Sequence, residues 1–321
     1  MPNPNKKIRP CQKPLYRIQN WSAYEKALVQ RGSITVWLAD DFEKTWSHIG
    51  EKQRGAQFVY SDQAISIMLT VKEVFHLTNR EVEGFMRSLF KLLKIHLSVP
   101  DHSTLSKRSK KLDVQLPKKA RGRLNIVMDS TGMKIYGEGE WKVRLHGKSK
   151  RRTWRKLHVG LDPESGEIQA VALTTNSISD DEAAENLFHQ IECPIERFAA
   201  DGSYDKRRVY ASLHRHSPAA DVLIPPRKNA RIWQHGNTRA ERLKRDENVR
   251  FIRQYGRATW KRESGYHVRS LAETTMFRMK TILGDHLSAR LLETQTTQAL
   301  IRCAALNQIT HLGMPQSYRV D

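Results

Sequence analysis

Three acidic residues stand where packing gives little reason for a carboxylate. Asp129 closes the apolar run NIVM, Asp201 follows RFAA and precedes Gly202, and Glu273 lies within YHVRSLAETTMFRMK (266–280). Consecutive members are 72 residues apart, too far for a local ion-pair motif, so only a fold could unite them. Taken singly, each reads equally well as a cap, a turn residue or a salt-bridge partner. Taken together, three ionised carboxylates cannot share a site without a compensating cation. Hard oxygen donors favour Mg²⁺ or Mn²⁺. Two such ions about 3.5–4 Å apart would stabilise the attacking and leaving oxygens of an in-line phosphoryl displacement.

The third acid comes with company. If 266–280 is one helix at about 100° per residue, Tyr266, Arg269, Glu273 and Lys280 fall within about 60° of one another. Leu271, Ala272, Met276, Met279, Ile282 and Leu283 fill the opposite, core-facing sector. An ordinary amphipathic helix with an Arg–Glu pair one turn apart, adding a few tenths of a kcal/mol, has the same pattern.

The elements that would position these residues can be read from periodicity. Residues 1–20 suggest a loose basic arm. From Trp21 to about Leu112 the pattern is helical: SDQAISIMLTVKEVFH after a Ser61 cap, TNREVEGFMRSLFKLLK opened by a Thr78…Glu81 capping box, and a short basic DHSTLSKRSKKL after Pro100. Two apolar helices and a short basic one suit a helix-turn-helix-like DNA-binding module over 21–120. After a linker at 114–123, strand patterns begin: LNIVMDSTGMKI, TWRKLHVGLD and EIQAVALTTN, then helix DDEAAENLFHQI capped by Asp180 or Asp181, strand RFAADGSYD, a helix, and strand DVLIPPR. That order predicts a mixed sheet with helices packed on it. Strand-end aspartates would then point into the crevice beyond the strands. Asp162 reads as a hairpin turn residue, and Asp205 as a possible support for Asp201.

Charge narrows the partner. The 321-residue chain carries 55 Lys/Arg against 34 Asp/Glu, a net +21, which points to a polyanion and first to nucleic acid. Residues 227–262 hold twelve Lys/Arg, three acids, Trp233 and Trp260 with no clean period, and read as a basic insertion suited to stacking and phosphate contact. Residues 141–156 hold eight Lys/Arg and no acid, with Lys148, Lys150, Arg151, Arg152 and Arg155 as backbone-contact candidates. Three scattered cysteines, no CxxC pair, no apolar span and no apolar segment in MPNPNKKIRP lead to the expectation of a reducing, cytoplasmic setting without membrane or disulfide framework. No phosphate-cradling glycine loop suggests a nucleotide cofactor.

The strand-borne VMDSTG, the ADGSYD segment and the spacing Tyr-x2-Arg-x3-Glu-x6-Lys over 266–280 resemble the DDE transposases of bacterial insertion sequences, within them the Y-R-E-K signature group of IS-four and IS-five type. The resemblance covers about 200 residues from roughly 121. It implies an RNase H-like α/β domain over 121–321, a mixed sheet flanked by helices with the 227–262 insertion before the last catalytic helix, beside the N-terminal all-helical domain. It implies that Asp129, Asp201 and Glu273 hold two Mg²⁺ or Mn²⁺ ions, and that Tyr266, Arg269 and Lys280 contact double-stranded DNA. Trp233 would stack on a displaced base, with Trp260 in reserve. The expected activity is 3′-end cleavage at terminal inverted repeats and strand transfer into target DNA, by at least a homodimer at synapsis, in the bacterial cytoplasm and at the nucleoid. A metal-dependent nuclease without strand transfer and a domesticated, non-catalytic DNA-binding protein remain as alternatives.

Overall fold

The computed structural model describes residues 15–38, 41–50, 55, 57–116, 122–135, 154–234 and 243–320. The N-terminal part is helical: α1 (Trp21–Gln30), α2 (Phe42–Thr45), α3 (Asp62–Val74), α4 (Asn79–Leu92) and α5 (His102–Arg108). Side chains fix their starts. Ser61 accepts from the Ala64 N–H, Asp101 from the Thr104 N–H, and Thr78 with Glu81 forms a reciprocal capping box. Strand β1 (Leu15–Ile18), within the segment read as an arm, pairs antiparallel with β8 (Ser317–Val320) at the far end of the chain.

The sheet is built from β2 (Leu124–Ile135), β3 (Trp154–Leu161), β4 (Ile168–Thr175), β5 (Ile195–Ala200), β6 (Asp221–Leu223) and β7 (His286–Leu287). Its order is β4-β3-β2-β5-β6. Strands β2, β3 and β4 pair antiparallel in succession, while β5 joins β2 and β6 joins β5 in parallel. Helices α6 (Asp180–Gln190) and α7 (Arg207–His216) make the parallel crossovers. The long β2 also pairs with β7 near its end, Lys134 opposite His286.

The pleat of β2 separates two cores. Ile126 and Met128 join Leu187, Phe188, Phe198 and Leu213 under α6 and α7. Val127 and Met133 face the other way, into a core made with α10 (Ser270–Leu283) and α11 (Leu292–Leu312). That second core also contains Trp46, Met68, Met86, Phe90 and Leu105 of the N-terminal helices. Helix α3 packs along α11. At their contact the buried Glu73 carboxylate accepts from Arg302 Nε at 2.7 Å and from Gln298 Nε2 at 3.0 Å. The helical region and the sheet region therefore meet in a continuous hydrophobic core.

Residues 227–262 are more regular than their sequence. They contain α8 (Lys244–Tyr255) and α9 (Arg257–Glu263). The helical period of α8 is masked because two of its buried positions carry charge: Arg245 and Asp246 bond to each other, and Arg245 also reaches Asp205 at 2.8 Å.

Candidate active site

Parallel pairing brings the two aspartates together. Met128 is the register partner of Ala200. Asp201 is the first residue past β5, whereas Asp129, expected at a strand end, lies in the middle of β2, which continues paired with β3 as far as Lys134. Both side chains emerge at the carboxyl end of β5, beside the central strand, where open sheets place ligands. Asp129 lies on the β2 face that looks at α10. There Arg269 Nη1 donates to Asp129 Oδ2 at 3.1 Å, and Arg269 Nη2 also bonds to Glu273 Oε1. On the same face Lys280 Nζ donates to Thr131 Oγ1 at 2.6 Å. Two residues of the predicted stripe, Arg269 and Lys280, thus reach β2, and Arg269 holds Glu273 beside them.

The stripe is not one helix. Tyr266–Arg269 form a 3₁₀ turn after Gly265, which takes a left-handed φ of 70°, and α10 starts at Ser270. Tyr266 is buried, its ring 5.5 Å from that of Trp260. Burial, with the charges of Asp201, Asp129 and Glu273, pushes its hydroxyl up to about 12 against the pull of Arg269. Its phenol therefore lies within electrostatic reach of all three acids.

Burial pushes the Asp129 carboxyl above its ordinary value, and the Asp201 and Glu273 charges add to this; the Ser130 N–H and Arg269 oppose it. Asp201 Oδ1 accepts from the Ser203 N–H at 2.8 Å and from its hydroxyl at 2.5 Å. Glu273 is more open, its side chain 56% exposed. Among the described residues no three His, Cys, Asp or Glu side chains are gathered closely enough to hold an ion. The Arg269 guanidinium lies between Asp129 and Glu273 instead. An all-oxygen donor set, with Asp129 pushed towards its neutral form and the Arg269 cation bridging it to Glu273, is nonetheless chemically suited to hard divalent cations.

A fourth acid, ranked in the sequence as a helix cap, joins the group. The cap of α6 is Ser179, and Asp180 begins the helix without capping it. Its carboxylate instead accepts from the Ser130 hydroxyl at 3.0 Å and the Ser203 hydroxyl at 3.1 Å. Lys156 Nζ stands 3.6 Å away. The only sequence signal was a serine one or two residues after each aspartate, Ser130 after Asp129 and Ser203 after Asp201; Asp180 itself could not be found without the fold.

The remaining candidates divide. Arg155 Nε donates to Gln295 Oε1 at 2.8 Å on α11. Trp233 lies under Arg245 (3.8 Å from its ring centre) and Arg207 (5.2 Å), with Tyr210 edge-on, so its ring is already engaged. Trp260 is a core residue, its indole N–H bonded to Asn248. Lys148, Lys150, Arg151 and Arg152 lie outside the described residues. Asp162 holds its turn through Glu164 N–H and Ser165, as its sequence suggests. A groove of about 1110 Å³ opens between α5, the α3–α4 turn and the β7–α11 loop; Lys72, His76, Arg80, Lys107, Lys110 and Arg290 help line it.

Two family models, each described as a transposase DDE domain, match the chain, over residues 29–138 and 120–308. The second spans more than half of it. The chain belongs to the DDE transposase family. It is thus an enzyme of DNA transposition, and the first match takes in the N-terminal helices from the end of α1 onward. Transposases of this family use divalent metal ions. The transposase is also similar to a solved piggyBac transposase synaptic complex with hairpin DNA, at 10% identity and a TM-score of 0.36, over 91% of this chain and 77% of that one. A likeness that weak decides nothing about the fold. Among the described residues no helix is long and apolar enough to cross a membrane.

Proposed function

We propose that this transposase binds the terminal inverted repeats of an insertion sequence, cuts their 3′ ends and joins them to target DNA, with Asp129, Asp201 and Glu273 as its catalytic acids. The observation that carries this is the convergence just described. Asp129 in mid-β2 stands beside Asp201 at the end of the neighbouring β5, and Arg269 links Asp129 to the glutamate. The strand order, with one antiparallel hairpin layer and two parallel crossovers, supports an RNase H-like reading of the sheet. Asp129, Asp201 and Glu273 would hold two Mg²⁺ or Mn²⁺ ions, which supply charge stabilisation at the attacking and leaving oxygens of an in-line displacement.

Two displacements make up the reaction. A water oxygen bonds to the phosphorus at the transposon end as the bond to the 3′ oxygen breaks, leaving a 3′-hydroxyl. That hydroxyl then bonds to a target phosphorus and displaces a second 3′ oxygen. Arg269 and Lys280 hold phosphates beside Glu273, positioned before the chemistry. Tyr266 is too buried to offer a broad DNA surface and serves at the rim, through its hydroxyl. Trp233 stacks on a displaced base by giving up its contact with Arg245. The helical region over 21–120 and its basic groove grip the ends, with Arg155, Lys148, Lys150, Arg151 and Arg152 contacting the DNA backbone; two copies bring two ends together at synapsis, in the bacterial cytoplasm and at the nucleoid. The test is a labelled, pre-cut transposon end with Mg²⁺ and target DNA. Joined product is expected; hydrolysis alone would make the protein a nuclease.

A further inference from the structure

We infer that Asp180 is a positioning residue that holds the two strand-borne aspartates in register for metal, a role that rests on the metal reading of Asp129 and Asp201. The pleat sets up the arrangement. Asp129 faces α10, so Ser130 faces the opposite side, towards α6. Across β5, the turn that follows Asp201 turns Ser203 to the same side. The two oxygens of the Asp180 carboxylate divide between these hydroxyls: Oδ1 accepts from Ser130 at 3.0 Å and Oδ2 from Ser203 at 3.1 Å. Each serine also holds its own aspartate. The Ser130 N–H donates to Asp129 Oδ1 at 2.9 Å, and the Ser203 N–H to Asp201 Oδ1 at 2.8 Å. The Ser203 hydroxyl, 2.5 Å from Asp201 Oδ1 as well, shares one proton between two carboxylates.

One carboxylate on a helix thus spans the middle of β2 and the end of β5, and joins two aspartates that are otherwise held by separate partners. A second observation marks the place. Tyr204, almost wholly buried, points its hydroxyl into this region without a hydrogen-bond partner, and it feels the charges of Asp180, Asp129 and Asp201 together. A rival role for Asp180 is simple favourable charge at the start of α6, shared with Asp181 and Glu182. That role would touch stability and leave metal affinity alone. Outer partners of metal ligands typically contribute about 10–100-fold to metal affinity.

The full chain should be titrated with Mn²⁺, free ion being read by electron paramagnetic resonance, beside its urea unfolding midpoint. Asp180→Ala should weaken Mn²⁺ binding by about 10–100-fold. Asp180→Asn, which keeps one acceptor oxygen, should fall between it and the wild type. The pair Ser130→Ala with Ser203→Ala should reproduce the loss, and adding Asp180→Ala to that pair should change nothing further. Should Asp180→Ala fail to fold, the serine pair and Asp180→Asn carry the test. Wild-type Mn²⁺ affinity in Asp180→Ala or in the serine pair, or losses that simply add, would overturn the assignment. A wild-type chain that takes up no Mn²⁺ overturns the metal reading itself, and this assignment with it.

Discussion

His158 should make the protein acid-sensitive by a calculable amount. The imidazole on β3 is fully buried, with Nε2 at 2.9 Å from Thr174 Oγ1 and no hydrogen-bond partner at Nδ1. Asp180 stands 3.7 Å from Nδ1, too far for a hydrogen bond. Burial lowers the imidazole from 6.5 to about 4; Asp180 opposes this and Lys156 assists it. The native state thus resists a proton that the unfolded chain accepts. The neutral ring's contribution is complete above pH 6.5. It is lost progressively as pH falls towards about 4, below which both states are protonated. A shift of this size corresponds to roughly 3 kcal/mol. The assay is urea unfolding at pH values from 7 down to about 4, comparing the wild type with His158→Gln, which cannot titrate. Other carboxylates act on both proteins, so the difference isolates the histidine. The wild type should lose about 3 kcal/mol more than the variant across this window. Parallel stability curves would refute the reasoning.

Arg302→Met should cost about 3–5 kcal/mol by leaving the Glu73 carboxylate buried beside α11 with only Gln298 and Lys72, read as a shift in urea midpoint at neutral pH. Burial pushes the Glu73 carboxyl up, but Arg302, Lys72 and Gln298 together hold it below its ordinary 4.5. The stabilisation is therefore present above about pH 4.5 and fades as pH falls through the lower native value, so the penalty of Arg302→Met should shrink in acid. Lys280→Ala should weaken binding to every duplex about equally and lower the salt slope by about 1, measured by fluorescence anisotropy across a salt series. Arg269→Ala should weaken the complex with transposon ends and also reduce cleavage, and Arg269→Lys should not restore it, because a point charge cannot bridge Asp129 and Glu273 as a planar fork does.

Local signals were the legible part. The caps at Ser61, Thr78 and Asp101 act through side chains within three residues, so their helices start where the sequence indicates. The succession of strands along the chain was readable because a buried strand leaves an apolar run, and RFAA does end β5 just before Asp201; after NIVM the polar break misled, because β2 runs on through Asp129 to Ile135. What could not be read depended on distant partners. Asp180 looks like any acid at a helix start until closure of the sheet brings Ser130 and Ser203 to it. The helical wheel failed at Tyr266 because Gly265 breaks the backbone there and the turn tightens to 3₁₀. Helix α8 was hidden by Arg245 and Asp246, which are buried through an ion pair with each other and Asp205 rather than through apolar character. The shared core of α3 and α11 joins segments more than two hundred residues apart, and no periodicity carries that pairing.

The most direct test of the catalytic assignment is cleavage of a labelled transposon end by Asp129→Asn, Asp201→Asn and Glu273→Gln, each first shown to bind that end. All three should bind close to the wild type and release no cut strand above background, while the wild type yields a free 3′-hydroxyl. Cleavage near the wild-type rate by any one of the three would contradict the account.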